Sequence, residues 1–375
     1  MESKRPDFSQ LSHPVFINSL REKPYEKLRG RVHEIAVYKG GGGLGDLVVG
    51  MPFFRQLRDA FPQARIRYMG SIYPRFENIF QALPYFNGYI SYERPNKGKG
   101  MKQYARFWRQ WQGKIDLLID TQRRWETSFW LAMLRPRYML SASPLLSTWG
   151  MPALPYKGMH ILEQLCTLTA RLGIPLRDEA EVLAIPEQYR RNAQQLLRNV
   201  ARPFVVLLPS SGMEYKNWPA EYCARLGDLL SNAGYSVILL GGPWQLPVLQ
   251  DVAGRMKHPP LIPALQNAAF AEELLNDAAV MEQSSLVVGN DSGGMHLASV
   301  LGVLTVTLFG PTSPRKFSPI GPRCVIFYKP PRCSPCRFKC TNPAGKECMT
   351  AITPEEVFEA CVKQLKLKEK GITHE

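Results

Sequence analysis

The segment VYKGGGGLGDLVVGMPFFRQL, from Val37 to Leu57, combines a run of glycines with an acidic residue. Five glycines fall between Gly40 and Gly45, after the apolar pattern of a strand and before that of a helix, and Asp46 follows directly. A glycine loop that opens a helix is typical of phosphate-binding sites, because free backbone N–H groups and the helix dipole attract anions there. An aspartate in the first helical turn repels a bound pyrophosphate, so this loop indicates a different chemistry.

Two phosphate-binding motifs can be tested against this loop. The spacing Gly40, Gly42, Gly45 fits G-x-G-x-x-G, but a dinucleotide site also needs an acid at the end of the next strand, which here ends in RYMGS. A P-loop needs Gly-Lys-Ser/Thr, whereas this chain has Gly-Asp-Leu. Two interpretations of Asp46 stay open. It caps the helix, or it is a general base facing a substrate that approaches the glycine backbone.

A second motif, GNDSGGMHLASVLGVLTVTLFGPTSP, runs from Gly289 to Pro314. A buried strand is predicted to end at Asn290-Asp291, and a helix to open at Ser292-Gly293-Gly294. The free N–H groups of that turn form an anion site, which His296 in the first helical turn can reach. The alternative is purely structural, with Asp291 or Ser292 as a cap and His296 packed in the core.

Strand and helix patterns alternate along both halves of the chain, which predicts parallel βαβ units. We therefore predict an α/β fold with two Rossmann-like, doubly wound domains facing a central cleft, with ligands at the carboxyl ends of the strands. Residues 1–30 are predicted as an extension, 31–185 as the first domain and 186–375 as the second. The second domain includes a four-cysteine loop at 333–348 and a C-terminal helix.

The net charge of +15, from 47 basic and 32 acidic residues, favours an anionic partner. Basic residues interleaved with aromatic ones form a predicted anion-binding patch in the first domain, comprising Lys102, Arg106, Arg109, Arg123 and Arg124. The first residues have no apolar core like that of a signal peptide, and no apolar run reaches the ~18–20 residues of a membrane span. We expect a cytoplasmic protein.

Four cysteines, Cys333, Cys336, Cys340 and Cys348, are spaced as C-x2-C-x3-C-x7-C. In a reducing compartment such clusters more often bind metal than form disulfides, and the first spacing suits structural zinc. The alternatives are iron held by the four thiolates, a redox pair and free thiols.

The motifs, taken in order, resemble glycosyltransferase family 9, the heptosyltransferases of lipopolysaccharide core assembly. The resemblance runs from about Val32 to Cys361 and rests on GLGDLVVGMPFFRQLRDAFP, PSSGMEYKNWPAEYCARLGDLL, LLGGP and NDSGGMHLA…FGPTSP. It implies a GT-B architecture with an N-terminal acceptor domain and a C-terminal donor domain. It also implies inverting, metal-independent transfer from a nucleotide sugar, typically ADP-heptose, with no catalytic cofactor.

The resemblance also implies residue roles. Asp46 matches the proposed catalytic base and Lys216 a lysine that contacts the donor phosphates. The donor-binding turn is matched by Asp291, Ser292, Gly293, Gly294 and His296. Gln245 stands where relatives often carry an acid for the nucleotide ribose, and its amide can still bond a hydroxyl. The chain has no Asp-x-Asp pair for a sugar-nucleotide metal.

The basic patch suits an acceptor rich in carboxylates and phosphates, such as lipopolysaccharide inner core. A lipid-linked acceptor would draw the enzyme to the inner face of the cytoplasmic membrane. The alternatives are a protein or another glycan as acceptor, or a basic nucleic-acid-binding protein with a four-cysteine knuckle. Nucleic acid is not the expected partner, because that hypothesis leaves the other motifs unexplained. A dinucleotide oxidoreductase is disfavoured by the missing acid and by Asp46.

Overall fold

A computed structural model describes residues 24–40, 43–70, 74–92, 100–122, 124–143, 147–148, 158–174, 183–267, 270, 272–321, 323–336, 340, 342 and 345–369. These residues form two compact units, the first ending at Ile174 and the second beginning at Leu183. The boundary falls within residues 175–182, next to the predicted one at 185–186. Most of the predicted N-terminal extension, residues 1–23, lies outside the described residues.

The first unit alternates strands and helices. Its strands are β1 (Glu34–Tyr38), β2 (Arg65–Gly70), β3 (Tyr89–Ser91), β4 (Leu117–Asp120) and β5 (Tyr138–Ser141). Its α-helices are α1 (Pro24–Leu28), α2 (Leu44–Val49), α3 (Met51–Ala60), α4 (Met101–Trp111), α5 (Trp125–Ala132) and α6 (Ile161–Leu172), with a 3₁₀ helix at Pro74–Ala82. The last residues of the predicted extension belong to this unit, because Leu28 in α1 is buried.

The five strands of the first unit form one parallel sheet in the order β3-β2-β1-β4-β5. The central strands read as continuous apolar runs because helices cover both faces of such a sheet. One face carries the core of Ala36, Met69 and Leu118, onto which Tyr104 of α4 and Leu131 of α5 pack. The chain leaves β1 toward β2 on one side and β4 toward β5 on the other.

The second unit repeats the alternation with five more strands, β6 (Phe204–Leu208), β7 (Ser236–Leu239), β8 (Leu286–Asn290), β9 (Thr305–Phe309) and β10 (Cys324–Tyr328). Its α-helices are α7 (Glu187–Leu197), α8 (Ala220–Asn232), α9 (Leu246–Arg255), α10 (Pro263–Gln266), α11 (Leu274–Glu282), α12 (Gly293–Val300), α13 (Pro314–Phe317), α14 (Glu347–Thr350) and α15 (Pro354–Glu369). Two 3₁₀ turns lie at Glu214–Lys216 and Pro243–Gln245.

The second sheet is also fully parallel, but its strand order is β10-β9-β8-β6-β7. The two units therefore have the two common doubly wound orders, one like 3-2-1-4-5 and the other like 2-1-3-4-5. The predicted α/β class with two Rossmann-like sheets is confirmed. No helix in the described part of the chain combines the length and the apolar character needed to cross a bilayer.

The apolar residues from Leu44 to Leu57 recur with the spacing of one helix, but this stretch forms two helices that meet at Gly50. Pro52 stands in the first turn of α3 and has no N–H to donate to the preceding turn. A Cβ on Gly50 would lie 2.7 Å from the Phe54 ring and 3.3 Å from the Asp46 carbonyl, so only glycine fits without a shift. Gly50 thus ends α2, which carries Asp46, before α3 begins.

Candidate functional site

The first candidate site lies at the carboxyl ends of β1 and β4, which pair side by side with Tyr38 opposite Asp120. The chain turns to opposite sides of the sheet after these two strands. Ligands of open α/β sheets bind at such a topological switch point, because the diverging loops leave a crevice there. The glycine loop follows β1 and therefore begins at this point.

Asp46 is the third residue of α2, whose N-cap is Gly43 and which has no side-chain cap. The N-cap interpretation of Asp46 is therefore wrong. Its Oδ1 instead lies 3.3 Å from the Nζ of Lys39, the residue that directly follows β1. The Lys39 side chain is 7% exposed and that of Asp46 33%, so the ammonium is buried and the carboxylate reaches solvent.

The glycine loop is tied at its start to the loop after β4. Thr121 donates two hydrogen bonds to the Tyr38 carbonyl, from its N at 3.1 Å and its Oγ1 at 2.9 Å. Gln122 Nε2 donates to the Gly40 carbonyl at 3.3 Å. Gly41 and Gly42 lie outside the described residues. These bonds fix where the glycine loop leaves the sheet.

Asp120, the last residue of β4, is fully buried beneath these loops. Its Oδ2 accepts from Ser128 Oγ at 2.5 Å and from Ser141 Oγ at 3.0 Å, and its Oδ1 accepts from Gln122 N at 2.9 Å. Burial raises the pKa of this carboxyl to about 6, while the Ser128, Gln122 and Ser141 bonds oppose the rise. Asp120 thus links the loop after β4 with α5 and β5 through hydrogen bonds from uncharged donors.

The predicted acceptor residues lie on or beside α4 and α5. Both helices run antiparallel to the strands, so their first turns lie near the carboxyl edge of the sheet. Lys102 is in the first turn of α4 and Arg124 directly precedes α5. Arg106 and Arg109 continue along α4, away from that edge. Arg123 lies outside the described residues.

The second candidate site lies at the carboxyl ends of β6 and β8, the switch point of the second sheet. Asn290, the last residue of β8, joins the two loops. Its Nδ2 donates to the Pro209 carbonyl at 2.8 Å and its Oδ1 accepts from Trp218 N at 3.0 Å. The Trp218 indole N–H in turn donates to the Ile352 carbonyl at 2.9 Å. The loop after β6 is thereby held against β8 and the C-terminal segment.

Asp291 is the centre of this second site. Its Oδ2 accepts from Lys216 Nζ at 2.8 Å and from Thr312 Oγ1 at 2.6 Å, and its Oδ1 lies 3.9 Å from His296 Nε2. The Asp291 side chain is 6% exposed and that of Lys216 17%. The buried carboxylate thus positions a more exposed ammonium. Because Lys216 follows β6 and Thr312 follows β9, Asp291 joins the loops after β6, β8 and β9.

Ser292 is the N-cap of α12 and makes no side-chain cap bond. Gly293 and Gly294 form the first two helical positions, where backbone N–H groups have no partner within the helix. A Cβ on Gly294 would lie 2.9 Å from Leu208 Cδ1, so the small residue allows α12 to approach β6. The structure therefore places Lys216 and the start of α12 around one buried acid, which suits a bound anion.

Gln245 lies in the loop after β7, the strand next to β6. Its Oε1 accepts from Gly242 N at 2.8 Å, which holds the side chain against its own loop. The amide NH2 is then the group best suited to meet a ligand hydroxyl, as a donor.

The described residues do not support the predicted zinc or iron site at the four clustered cysteines. Within the described ranges no three or more His, Cys, Asp or Glu side chains converge to hold a metal ion. Cys336 Sγ donates to the Cys333 carbonyl and Cys340 Sγ to the Gly345 carbonyl, each at 3.2 Å. Burial, followed by the charges of the other three thiols, raises the pKa of Cys348 to about 11. None of the four is in a disulfide, and the described residues do not support the predicted metal site.

Sequence reasoning missed three residues of these sites: Lys39, Asp120 and Thr312. Asp120 does carry a signal, because an acid at the carboxyl end of a buried strand marks the edge of the sheet where ligands bind. Thr312 was included in the motif FGPTSP without a role. Lys39 carried no signal, because only the folded glycine loop brings it to Asp46.

Comparison with known proteins gives one consistent family. A family model described as glycosyltransferase family 9 (heptosyltransferase) matches residues 105–346. Lipopolysaccharide heptosyltransferase 3 of Escherichia coli is 22% identical over 282 residues, which cover 72% of this chain and 81% of that protein. Lipooligosaccharide heptosyltransferase 2 of Campylobacter jejuni is 26% identical over 332 residues, which cover 86% of this chain and 96% of that protein.

Solved structures show the same fold. E. coli ADP-heptose lps heptosyltransferase II superposes with a TM-score of 0.71 at 18% identity, covering 90% of this chain and 99% of that one. E. coli heptosyltransferase WaaC with ADP gives a TM-score of 0.63 at 19% identity, covering 88% and 99%. The architecture is GT-B, as predicted.

Proposed function

This chain belongs to glycosyltransferase family 9, the heptosyltransferases, and from that premise we propose its donor, acceptor and mechanism. It transfers a heptose, or a related sugar, from an ADP-sugar to the anionic inner core of lipopolysaccharide, with inversion and without a metal. The names of the relatives support the acceptor, and the solved heptosyltransferase with ADP supports the nucleotide. The protein then works in the cytoplasm, at the inner surface of the membrane that carries the acceptor.

The observation that carries the mechanism is the Lys39–Asp46 pair at the first switch point. The Asp46 carboxylate is a third exposed and lies 3.3 Å from the buried Lys39 ammonium. In an inverting displacement the acceptor hydroxyl attacks the anomeric carbon as the bond to the diphosphate breaks, and its proton goes to a base. Asp46 is that base, since a positioned carboxylate within reach of a hydroxyl meets the requirement.

The donor diphosphate is bound in the second unit. Lys216 and the N–H groups at Gly293 and Gly294 stabilise the charge of the leaving group, a role that a metal has in other transferases. Asp291 fixes the lysine at 2.8 Å and Thr312 fixes Asp291 at 2.6 Å, so the cation is positioned before the donor arrives. Ser292, His296 and Gln245 complete the proposed donor contacts.

The acceptor enters the first unit. Lys102 and Arg124 lie near the carboxyl edge where Asp46 stands, and Arg106, Arg109 and Arg123 extend the basic region. Phosphates and carboxylates of an inner-core glycan match these cations. No catalytic cofactor takes part in this mechanism.

The test is transfer from ADP-heptose to isolated lipopolysaccharide core by the purified protein and by Asp46→Asn. We expect the variant to bind the donor normally and to lose transfer by about 10²–10⁴-fold, since the base is removed while the fold is kept. Asp59→Asn, on α3 of the same unit, is the matched control and should transfer normally. Undiminished transfer by Asp46→Asn would remove Asp46 as the base.

A further inference from the structure

Exposed apolar side chains are concentrated on the α4–α5 layer of the first unit. In the described part of the chain, eight large hydrophobic side chains are exposed, and four of them, Met101, Trp125, Phe129 and Met133, lie on or directly after these two helices. Trp125 is 60% exposed and Phe129 48%. Single exposed apolar residues are ordinary, but a contiguous group marks an interaction surface.

The apolar residues form a stripe along α5 and the turn that follows it. Trp125, Phe129 and Met133 are spaced by four residues and therefore share one face. Thr127 and Leu131, on the opposite face, are buried against the sheet. The stripe thus points directly away from the first unit's core.

The basic residues of α4 form a parallel track. Lys102, Arg106 and Arg109 recur at intervals of four and three residues and are all exposed. The opposite face of α4 carries Tyr104, which is buried in the core. The track therefore also points away from the core.

The stripe and the track belong to one surface. Tyr104 Oη donates to the Trp130 carbonyl at 2.8 Å, and Trp108 Nε1 donates to the Met133 carbonyl at 2.8 Å, so α4 and α5 are direct neighbours. Both helices pack on the same face of the sheet, in one core cluster. Two helices in one layer turn their outer faces to the same side.

We propose that this outer surface docks on an anionic lipid bilayer. We call it the docking face and define it as Lys102, Arg106, Arg109, Trp125, Phe129 and Met133. Tryptophan and phenylalanine rings enter the headgroup region of a bilayer, and lysine and arginine are attracted to anionic headgroups. The inference rests on the proposed function only in that a lipid-linked acceptor gives the enzyme a reason to be there.

Charge favours a bilayer over a second copy of the chain. The two helices carry three basic residues and one acidic residue, Glu126, and exposed Arg124, Arg135 and Arg137 flank α5. A two-fold pairing through the stripe would bring the basic tracks of both copies together, and like charges in contact oppose association. An anionic membrane offers the opposite charge over the whole surface.

The experiment is co-sedimentation of the full chain with vesicles of phosphatidylcholine, with and without phosphatidylglycerol. We expect binding to the anionic vesicles only, weakened by salt. The triple change Lys102→Gln, Arg106→Gln, Arg109→Gln should reduce partitioning about a hundredfold, and Trp125→Ser with Phe129→Ser about tenfold or more. Matched controls in the second unit are Arg191→Gln with Arg198→Gln, and Leu265→Ser, all exposed, which should bind normally.

Several results would overturn the docking face. Equal binding by all variants, or no binding of the parent chain to anionic vesicles, would do so. A change of oligomeric mass on Trp125→Ser with Phe129→Ser, at unchanged vesicle binding, would make the stripe a subunit interface instead. Transfer to a delipidated acceptor without vesicle binding would refute docking and leave the proposed function standing. Vesicle binding without any transfer would support docking and refute the proposed function.

Discussion

The two switch points use the same pair of residue types in opposite ways. In the first unit the lysine is buried, 7% exposed, and the aspartate is 33% exposed. In the second unit the aspartate is buried, 6% exposed, and the lysine is 17% exposed. In each pair one charged group is buried and its partner is more exposed to solvent. The first site therefore presents a carboxylate that suits a base, and the second presents an ammonium that suits phosphate.

Lys216→Met tests the second half of this comparison and should have a larger effect than changes at Asp120 or Lys39. Removing the cation that meets the leaving diphosphate should lower transfer by about 10²–10³-fold, the typical loss for one positioned transition-state donor. Single-turnover assays with ADP-heptose measure it, with Lys257→Met on the same unit as control. Because the change leaves Asp291 buried without its cation, the double variant Lys216→Met, Asp291→Asn separates folding from function. Normal transfer in the double variant would contradict the phosphate role.

Asp120→Asn tests whether the buried carboxylate at the first switch point, which is held by uncharged donors, lowers the stability of the fold. The pKa of Asp120 is raised from 3.8 to about 6 in the folded state, so the unfolded chain loses this proton at lower pH. The carboxyl therefore opposes folding increasingly as pH rises from about 4 to 6, by about 2–3 kcal/mol in all. The stability advantage of the Asn variant should grow over that interval and then level off.

Amide hydrogen exchange of β1 and β4, followed with pH in both proteins, measures this difference within the first unit. Ser236→Ala in the second unit serves as an exchange control for the procedure. A difference that is constant from pH 4 to pH 8 would show that Asp120 does not change its protonation there.

Lys39→Met tests the first pair itself and should have the smallest effect, about tenfold on transfer. The methionine fills the buried space, and Asp46 stays hydrated because it is a third exposed, so the fold should tolerate the change. The carboxylate loses its partner and its fixed orientation, which lowers the rate at unchanged donor affinity. Lys39→Arg should restore most of the rate. If both variants lose donor binding instead, Lys39 supports the loop and not the base.

The sequence predicts the fold well where strands are buried on both sides. The continuous apolar runs of β1, β4, β6, β8 and β9 are predicted because both sheet faces are covered. The strands β3, β5 and β10 carry a weaker sequence signal, since they are short or partly exposed and lie at the sheet edges. The strand order cannot be predicted from the hydrophobic pattern either, because it depends on which distant strands pair in the folded chain.

The site was predicted to different degrees in the two units. Asp291 and Lys216 follow from motifs in which a strand end and a glycine turn determine the chemistry. The ion pair of Lys39 with Asp46 could not be predicted, since the backbone path through the glycines determines whether two residues seven positions apart meet. The cysteine spacing predicts a metal site that the described residues do not support. Spacing alone does not determine whether thiols converge, and here two of them donate to carbonyls.

Trp218 links the loop after β6 to the segment between α14 and α15. Its backbone N–H bonds Asn290 at the end of β8, and its indole bonds the carbonyl of Ile352. In genetic terms, a stop codon before residue 352 would leave every proposed donor-binding residue in the polypeptide but remove the carbonyl that this tryptophan holds. A frameshift just before that codon should therefore weaken donor binding although it changes none of the donor-binding residues.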